Sequence, residues 1–488
     1  MRLAKKNSLY RNEVIEAAVR AVLMAVERFQ FGNFKPMPLD YSRPEVHGRL
    51  HAPIQQADRA IDWRHDDTRT VLKKIHAADG FPGVLDTLYG DAYYLFDACA
   101  EDTLRGTQPG AVIATRNGAI CRATLDGAVW IGHLKRKGEG EHTFNPDSNP
   151  SQPPLVRGGA SSALPLTRGS WRGFGFNGQS GLKLPAALAL GEHLAGVPEV
   201  PLDPMGVCTG ETYRDIWFEQ KNNVGYLHFA FYNGAMSSAQ CERLREAYLA
   251  ATQHEVRVIV LMGGADFWSN GIHLNCIEAA ASPADESWRN INAMNDLTRA
   301  IVTTGSQLTI AALQGNAGAG GVFLSLAADH VYAREGVVFN PHYKGMGNMY
   351  GSEYWTYLLP RRVGEARAAA LTQNRLPVGA AEAREMGLID GCFGTDRADF
   401  LARIEQLAEG LAASPDYSKL LHEKIARRER DEREKPLDAY RAEELQHMKL
   451  NFYGFDPSYH VARYNFVYKI PHAWTPLYLA RHRRITSL

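Results

Sequence analysis

Two glycine-rich segments, each directly after a short apolar run, constrain the fold of this chain more than any other sequence feature. Residues 263–274 follow the apolar run 256–262, and residues 314–323 follow the apolar run 308–313. Glycine after a strand lets the backbone turn sharply and approach a neighbour without a Cβ clash. The first N–H groups of a helix have no partner within the helix and favour negative charge. The pair of segments therefore predicts two strand–turn–helix units whose turns can direct one N–H each at a single oxygen atom.

The order of apolar runs and turn residues predicts a multidomain α/β protein. From residue 211 to 400 the signals alternate, with strands at 224–231, 256–262 and 308–313 and helices at 237–252, 290–304 and 319–327, so the chain returns repeatedly to one buried sheet. Residues 49–137 combine one helix with short β-type runs joined by Asn117-Gly118 and Asp126-Gly127. Both dipeptides accept the positive φ of hairpin turns, so we expect a small β-barrel of the OB type.

Three further segments differ in composition from these two domains. Residues 1–48 contain an amphipathic helix at 11–30 and a Pro-rich connector. Residues 138–210 are predicted to be a linker, because from residue 138 to about residue 180 the composition shifts to Gly, Ser, Pro and Asn. Residues 401–488 are strongly charged and predict a C-terminal helical region.

Bulk composition excludes several classes of function. The 54 Lys and Arg residues balance the 54 Asp and Glu residues, so no net charge attracts nucleic acid or an anionic membrane. Met1 is followed by a basic and polar stretch rather than an apolar one, and no run of 18 apolar residues occurs. The six cysteines are scattered without a C-x-x-C pair, which predicts reduced thiols and no metal site in a cytoplasmic protein.

The two glycine-rich segments together resemble the crotonase (enoyl-CoA hydratase/isomerase) superfamily. Its first turn reads roughly Phe-x-x-Gly-x-Asp-Leu, matched by residues 268–274 with Trp268 in the aromatic place. Its second reads roughly Asn-Gly-x-Ala-x-Gly-Gly-Gly, matched by residues 314–321 with Gln314 and Ala319 as substitutions. The resemblance implies a ClpP/crotonase-like ββα-spiral domain followed by C-terminal helices that support oligomerisation. It also implies oxyanion N–H groups and coenzyme A contacts, which would come from Phe267, Asn270, Gly271, Ile272, His273, Gly320 and Gly321, with Ile272 and Gly320 as the oxyanion donors.

The departures from the superfamily pattern point away from ordinary hydration. Hydratases use two glutamates as acid and base, and the corresponding positions here are Phe323 and His342. A Gly-hinged loop from 340 to 357 offers other groups, of which Tyr343 and Glu353 suit proton transfer beside a thioester. The alternative is that the loop tyrosines are core aromatics and that Glu353 caps a helix.

The front of the chain resembles the C-terminal barrel of formyltransferases that use 10-formyltetrahydrofolate. The matching features are residues 59–63 (Arg-Ala-Ile-Asp-Trp), the helix end at 75–78, Phe81-Pro82-Gly83 and the hairpins up to residue 137. In those enzymes a catalytic half precedes this barrel, and its motifs have no match here. We therefore expect formyl transfer, and the use of tetrahydrofolate, to need a further N-terminal half.

A formyltransferase-type barrel fused to a crotonase-type domain resembles the HypX (HoxX) family of hydrogenase maturation factors. The resemblance implies that a formyl group passes from formyltetrahydrofolate to coenzyme A and that formyl-CoA is then broken into CO and CoA. It further implies that CO becomes an iron ligand of [NiFe] hydrogenase, with other maturation proteins as partners, and that Tyr343 and Glu353 are the catalytic side chains. Two alternatives stay open: another acyl-CoA lyase or isomerase reaction, and a non-catalytic CoA-binding assembly module.

Overall fold

A computed structural model gives the fold and describes residues 4–35, 38, 40–44, 51–138 and 181–470. The chain forms two compact units: Met1–Leu202 with Cys208–Tyr213, and Asp203–Val207 with Arg214–Leu488. Most of the predicted linker (139–180) and the end of the predicted helical tail (471–488) lie outside the described residues.

The first unit contains an antiparallel sheet preceded by helices. Its helices are α1 (Lys6–Leu9), a π-helical turn (Tyr10–Val14), α2 (Ile15–Gln30), α3 (Gln56–Arg59), α4 (Thr68–Ala78) and α5 (Ala186–Leu190), the last continued by a 3-10 turn (Gly191–Leu194). Its strands are β1 (Val84–Leu88), β2 (Asp91–Glu101), β3 (Val112–Arg116), β4 (Ala119–Ala123), β5 (Ala128–Arg136) and β6 (Lys183–Pro185). They pair in the order β1-β2-β5-β4-β3, with β6 also beside β5. Helix α4 covers the sheet because Val71 and Ile75 on its apolar face lie in one core with Leu95 and Ile131.

The predicted hairpins of the first unit differ in their turns. Asn117 and Gly118 take φ of 50° and 87°, which confirms the tight turn between β3 and β4. Asp126 and Gly127 instead belong to a four-residue loop in which Thr124 N donates to Gly127 O (2.9 Å). The Asp126 carboxylate accepts from Thr68 N (2.8 Å) at the start of α4, so this loop is shaped by a contact with the helix rather than by hairpin geometry.

The predicted linker is wrong for residues 183–194. This segment forms β6 and α5, and Leu184, Ala186 and Leu190 are buried. The reason is local composition: residues 182–190 read Leu-Lys-Leu-Pro-Ala-Ala-Leu-Ala-Leu. That run is apolar enough to add a strand and a covering helix to the sheet. The barrel unit therefore extends beyond residue 137.

The predicted amphipathic helix at 11–30 is present mainly as α2, and no residue of α2 is buried. Its apolar side chains, including Val19, Val22 and Leu23, are exposed.

The second unit alternates strand and helix as predicted. Its strands are β7 (Ile216–Lys221), β8 (Val224–Phe229), β9 (Val258–Met262), β10 (Phe267–Ser269), β11 (Leu308–Leu313), β12 (Asn316–Gly318), β13 (His330–Ala333), β14 (Val338–Asn340), β15 (Val378–Gly379) and β16 (Gly391–Cys392). Its helices are a 3-10 turn (Tyr232–Gly234), α6 (Ser238–Ala251), α7 (Leu274–Ala279), α8 (Pro283–Val302), α9 (Gly320–Leu326), α10 (Trp355–Val363), α11 (Glu365–Asn374), α12 (Ala380–Glu385), α13 (Arg397–Ala413), α14 (Tyr417–Glu434), α15 (Leu437–Tyr453) and α16 (Ser458–Val467).

Two sheets of the second unit position the glycine-rich turns. The larger sheet has the order β16-β13-β11-β9-β8-β7 and is parallel except for the β7–β8 pair. The smaller sheet has the order β10-β12-β14-β15. Strands β9 and β11 are neighbours and fully buried, and the chain leaves each of them through a glycine-rich turn into β10 and β12, which pair again. Because parallel neighbours end at the same sheet edge, both turns reach the same place.

The C-terminal helices are part of the core rather than a solvated tail. Phe400 and Ile404 of α13 pack against the larger sheet, and Met448 and Phe452 of α15 lie in the main core of the unit. Tyr459 of α16 is buried 4.9 Å from Phe452, ring centre to ring centre. In the part of the chain that the structure describes, no helix has the length and apolarity needed to cross a membrane.

Candidate active site

The first glycine-rich turn places Ile272 just after β10 of the smaller sheet, where it forms an isolated bridge with Met236. Gly271 has a φ of 78°, a left-handed value that glycine adopts without strain. Its carbonyl accepts a hydrogen bond from Met236 N (2.9 Å), which ties the turn to the segment before α6. Among the described residues, no backbone acceptor is found for the Ile272 N–H.

The second glycine-rich turn starts α9 at Gly320. Ala319 precedes this helix with a φ of 48° and a ψ of −128°, a conformation that costs a non-glycine residue about 1–3 kcal/mol. Ala319 N donates to Asn340 O (3.0 Å), which holds the turn against β14. Gly320 is the first residue of the helix, so its N–H has no acceptor within the helix.

The two turns are in direct contact, and glycine is what allows it. A Cβ on Gly321 would lie 2.1 Å from Ser269 O, and a Cβ on Gly271 would lie 3.3 Å from Gly320 N. The substituted residue Gln314 strengthens the contact, since its Nε2 donates to Gly263 O (2.7 Å). The structure therefore brings the predicted oxyanion donors, the Ile272 and Gly320 N–H groups, onto adjoining turns. Their action on a thioester oxygen stays a prediction.

The carboxylate of Glu353 lies beside this pair of turns. A Cβ on Gly320 would be only 2.4 Å from Glu353 Oε1, so the carboxylate fills the space that the glycine leaves. The hydroxyl of Tyr343 donates to Glu353 Oε2 and lies 3.0 Å from Ser352 O. Glu353 is 1% exposed and Tyr343 is 6% exposed, so the hydrogen-bonded pair is shielded from water. The helix-cap alternative for Glu353 is wrong, because α10 begins after Tyr354 and has no side-chain cap.

Burial sets the protonation of this pair. Loss of solvation, with a smaller contribution from the negative charge of Glu444, raises the pKa of Glu353 to about 8 although the hydrogen bond from Tyr343 acts in the opposite direction. Burial and the nearby Glu353 charge raise the pKa of Tyr343 well above its ordinary value. A carboxyl group with a pKa near neutrality can both take up and return a proton at physiological pH.

The backbone that carries Glu353 is strained. Glu353 and Tyr354 have φ values of 60° and 56°, which side chains other than glycine rarely adopt. Asn295 of α8 stabilises the turn, since its Oδ1 accepts from Glu353 N (2.8 Å) and from Ser352 Oγ (2.9 Å). Such strain concentrates at functional sites, where the surrounding structure holds it in place.

Gly351 gives Tyr343 the room that the pair needs. A Cβ at Gly351 would lie 2.0 Å from the Tyr343 ring, and φ at this position is 95°. On its other side Tyr343 stacks on Phe323, with ring centres 5.5 Å apart. Phe323 thus stands at the position of one hydratase glutamate and packs against the Tyr343 ring. His342, at the other glutamate position, is half-buried.

The remaining predicted coenzyme A contacts lie along the first turn but have local roles of their own. The Asn270 side chain is exposed and donates to Asn233 O (2.8 Å). His273, which replaces the usual aspartate, is buried, and its Nδ1 accepts from Cys276 N (3.2 Å) at the start of α7. Histidine here therefore caps a helix as aspartate would. Phe267 is half-buried on β10, and Gly321 is buried in α9. Binding of coenzyme A by these residues stays a prediction.

Sequence reasoning missed Asn295 and Glu444, the two buried polar residues that hold the Glu353 turn. Asn295 lies in the buried face of α8, but its region gave only a generic helix signal. Glu444 follows Glu443 in a strongly charged segment, so it had no local signal of burial. Among the described residues, no group of three or more His, Cys, Asp and Glu side chains is placed to hold a metal ion.

Comparison with known families agrees with both halves of the chain. Residues 53–145 match the formyl transferase C-terminal domain, and residues 219–452 match enoyl-CoA hydratase/isomerase. The predicted fold class, a formyltransferase C-terminal-like unit followed by a crotonase-like unit with C-terminal helices, is confirmed. The crotonase half also resembles the putative enoyl-CoA hydratase/isomerase YhaR of Bacillus subtilis, with 30% identity over 181 residues that cover 37% of this chain and 69% of that protein.

Two relatives match along the whole chain. The hydrogenase maturation factor HoxX of Bradyrhizobium diazoefficiens is 49% identical over 484 residues, which cover 99% of this chain and 76% of that protein. The crystal structure of HypX from Aquifex aeolicus in complex with tetrahydrofolic acid superposes with a TM-score of 0.87 and 44% sequence identity, covering 100% of this chain and 78% of that one. With both halves matched in the same order and near-complete coverage, the chain belongs to the HoxX/HypX family of hydrogenase maturation factors.

Proposed function

We propose that the crotonase-type unit cleaves formyl-CoA to CO and coenzyme A, and that the CO becomes an iron ligand of [NiFe] hydrogenase. The observation that carries the proposal is the buried Glu353–Tyr343 pair beside Gly320. The formyl group of formyl-CoA has a hydrogen on its carbonyl carbon. Cleavage of formyl-CoA to CO requires removal of that hydrogen as a proton. A shielded carboxylate beside an oxyanion site suits this reaction, while the two hydratase glutamates are absent.

The reaction needs two proton transfers that the pair can supply. Glu353, as the carboxylate, takes the proton from the formyl carbon, and the electrons of the C–H bond stay on carbon as the C–S bond breaks. The products are CO and the thiolate of coenzyme A. Tyr343 gives its proton to the thiolate, and Glu353 returns the formyl proton to Tyr343 through their hydrogen bond. The Ile272 and Gly320 N–H groups hold the carbonyl oxygen during this step.

A folate supplies the formyl group in this proposal. The related HypX from Aquifex aeolicus was solved in complex with tetrahydrofolic acid, and the first unit matches the formyl transferase C-terminal domain. We propose 10-formyltetrahydrofolate as the source of the formyl group, and we assign no step of the transfer to the described residues.

The proposal is tested by adding formyl-CoA to the purified protein and trapping CO on haemoglobin. Glu353→Gln keeps the shape of the side chain and removes its charge, so CO release should fall by about 10²–10⁴-fold while coenzyme A affinity stays within a few-fold. Tyr343→Phe should have a smaller effect, because a thiolate is a good leaving group and can depart before it is protonated. His342→Ala is the control and should act only through packing.

Neither alternative releases CO from formyl-CoA in this experiment, and turnover of a different acyl-CoA separates the two. Another acyl-CoA lyase or isomerase would bind coenzyme A and release no CO. A non-catalytic assembly module would process no thioester. Wild-type-like CO release by Glu353→Gln together with loss in His342→Ala would make His342 the base and contradict the assignment of Glu353.

A further inference from the structure

Glu444 of α15 is a second fully buried carboxylate in contact with the turn that carries Glu353. It is 0% exposed, and its two oxygens accept hydrogen bonds from the start of α10. Tyr354 N donates to Oε2 (2.9 Å), while Thr356 N (2.9 Å) and Thr356 Oγ1 (2.6 Å) donate to Oε1. Three donors satisfy the carboxylate, which explains how a glutamate is accommodated in the core.

Neighbouring residues on the same face of α15 hold the rest of the loop. Met448 Sδ accepts from Gly351 N (3.2 Å), and Asn451 Oδ1 accepts from Tyr350 N (3.1 Å). The His447 ring stacks on Tyr350 with 4.1 Å between ring centres. Spacings of three and four residues place these side chains and Glu444 on one helix face. This face of α15 therefore binds the loop backbone from residue 350 to 356.

The left-handed turn at Glu353 and Tyr354 is thus held from two sides. Asn295 of α8 accepts from Glu353 N, and Glu444 of α15 accepts from Tyr354 N. A turn with φ near 60° at two consecutive non-glycine residues persists only when neighbours over-determine it. Removing either neighbour should let the turn relax and move the Glu353 carboxylate away from Gly320.

We infer that Glu444 is a positioning residue for proton transfer by Glu353, acting from the C-terminal helix through the 353–354 turn and through its own charge. The catalytic part of this inference rests on the proposed function. The contacts between Glu444 and the turn do not depend on it. The ionisable groups facing Glu353 are Tyr343 of the same loop, Glu444 of α15 and Cys241 of α6. Glu444 is the acidic residue among them that hydrogen-bonds to the turn itself.

The charge of Glu444 predicts a shift in pH dependence that a purely structural residue would not cause. Burial raises the pKa of Glu444, while the hydrogen bonds from Thr356 and Tyr354 favour its ionised form, and the charge of that form is one of the causes that raise the pKa of Glu353. The negative charge of Glu444 makes a second nearby negative charge unfavourable. Replacing it with a neutral residue should lower the pKa of Glu353, so the limb of the pH–kcat profile that reports Glu353 should move to lower pH. The direction is the same whether Glu353 acts as base or as acid.

The experiment compares Glu444→Gln with Glu443→Gln, its neighbour on α15. Glu443 pairs with Lys435 (2.6 Å) at a largely exposed position, whereas the hydrogen bonds from Tyr354 N and Thr356 N are accepted by Glu444, so Glu443→Gln controls for the loss of one charge from the helix. For Glu444→Gln we expect kcat for CO release to fall by on the order of 10²-fold, KM to change little, and the pH limb to move to lower pH. We also expect faster amide hydrogen exchange in a peptide that contains Tyr354 and Thr356. Glu443→Gln should match the wild type in all four readouts.

The outcomes separate this inference from the proposed function. If Glu444→Gln behaves as Glu443→Gln does, or if kcat falls without a shift in the pH limb and without faster exchange, the inference is wrong. If the wild type releases no CO, the proposed function fails. The exchange measurement then still decides whether Glu444 holds the turn. If Glu444→Gln does not fold, Thr356→Val is the second variant, because it removes one hydrogen bond at the same contact. It should give a smaller loss of kcat and faster exchange of that peptide. Unchanged values would overturn the inference.

Discussion

Glu353 carries its carboxyl group in surroundings that oppose ionisation. It is 1% exposed and lies near the buried Glu444, and these two effects outweigh the hydrogen bond from Tyr343, which favours the ionised form. The ordinary pKa of its side chain is 4.5, and burial raises it to about 8 in the folded protein. The pKa of this carboxyl group is therefore close to the pH range in which the protein works. The shift lowers the stability of the folded state.

That cost predicts how the stability of Glu353→Gln depends on pH. Between about 4.5 and about 8 the folded state keeps the Glu353 proton while the unfolded state loses it, so the free energy of unfolding falls as pH rises. Glutamine has no proton to lose and still offers an oxygen to Tyr343. Compared with the wild type, the variant should be similar at acid pH and more stable above about pH 8, by a few kcal/mol at most.

Denaturant unfolding of both proteins between about pH 5 and pH 9 measures this difference. Glu353→Asp serves as a control that keeps a titrating carboxyl group. A difference between wild type and Glu353→Gln that stays constant across this range would show that the Glu353 pKa is not raised.

Helix α9 begins with Gly320, the predicted oxyanion donor, and carries no acid–base side chain at the position of a hydratase glutamate. Its position equivalent to a hydratase glutamate is Phe323, which is fully buried against the Tyr343 ring. The loop after β14 places His342 at the other glutamate position, half-buried, and burial lowers the pKa of that histidine. The elements of the superfamily are thus kept, while neither of the two positions carries a glutamate.

We therefore expect no measurable hydration of crotonyl-CoA by this protein. Hydration adds water across a double bond and needs an acid and a base at those two positions. The measurement is the loss of enoyl-thioester absorbance, with a hydratase as positive control and coenzyme A binding by the same preparation as a test of folding. Clear turnover at ordinary enzyme concentration would contradict the assignment.

Among the described residues, each of the two units has hydrophobic clusters of its own. The two large clusters of the second unit are formed by residues from 205 to 459, and those of the first unit by residues from 61 to 213. The site draws on β9, β11, α8, α9, the loop before α10, and α15, all of which belong to the second unit. A core closed within one unit carries its own folding free energy.

A fragment of residues 203–488 should therefore fold and keep the site. We expect a single cooperative unfolding transition and coenzyme A affinity within a few-fold of the full chain, measured by calorimetry. The same fragment with Glu353→Gln is the matched control, since it should bind coenzyme A and lose CO release. A fragment that is unfolded, or that folds and does not bind coenzyme A, would show that the first unit contributes to the site.

Much of the fold was determined by local sequence. A glycine after an apolar run predicts where the backbone turns, and the periodicity of apolar residues predicts which face of an element is buried. These signals predicted β11 at Leu308–Leu313, a helix over 319–327 that is observed as α9 (Gly320–Leu326), and the loop with Tyr343 and Glu353. The conformation of a turn that depends on a distant contact could not be predicted. The Asp126 carboxylate accepts a hydrogen bond from Thr68 N, and its turn is not a tight hairpin.

The tertiary structure alone decided how the site residues meet. Glu353 contacts Gly320, and Glu444 is buried beneath the loop. Both contacts join segments that are far apart in the chain, and no local sequence pattern predicts them. Glu444 and the exposed Glu443 are the same residue type side by side, yet only one is desolvated. The pKa of a carboxyl group depends on its solvation and its neighbours in space. The sequence could therefore name Glu353 as a candidate, and only the packing of α15 against the 350–356 loop decided the surroundings that raise the pKa of its carboxyl group.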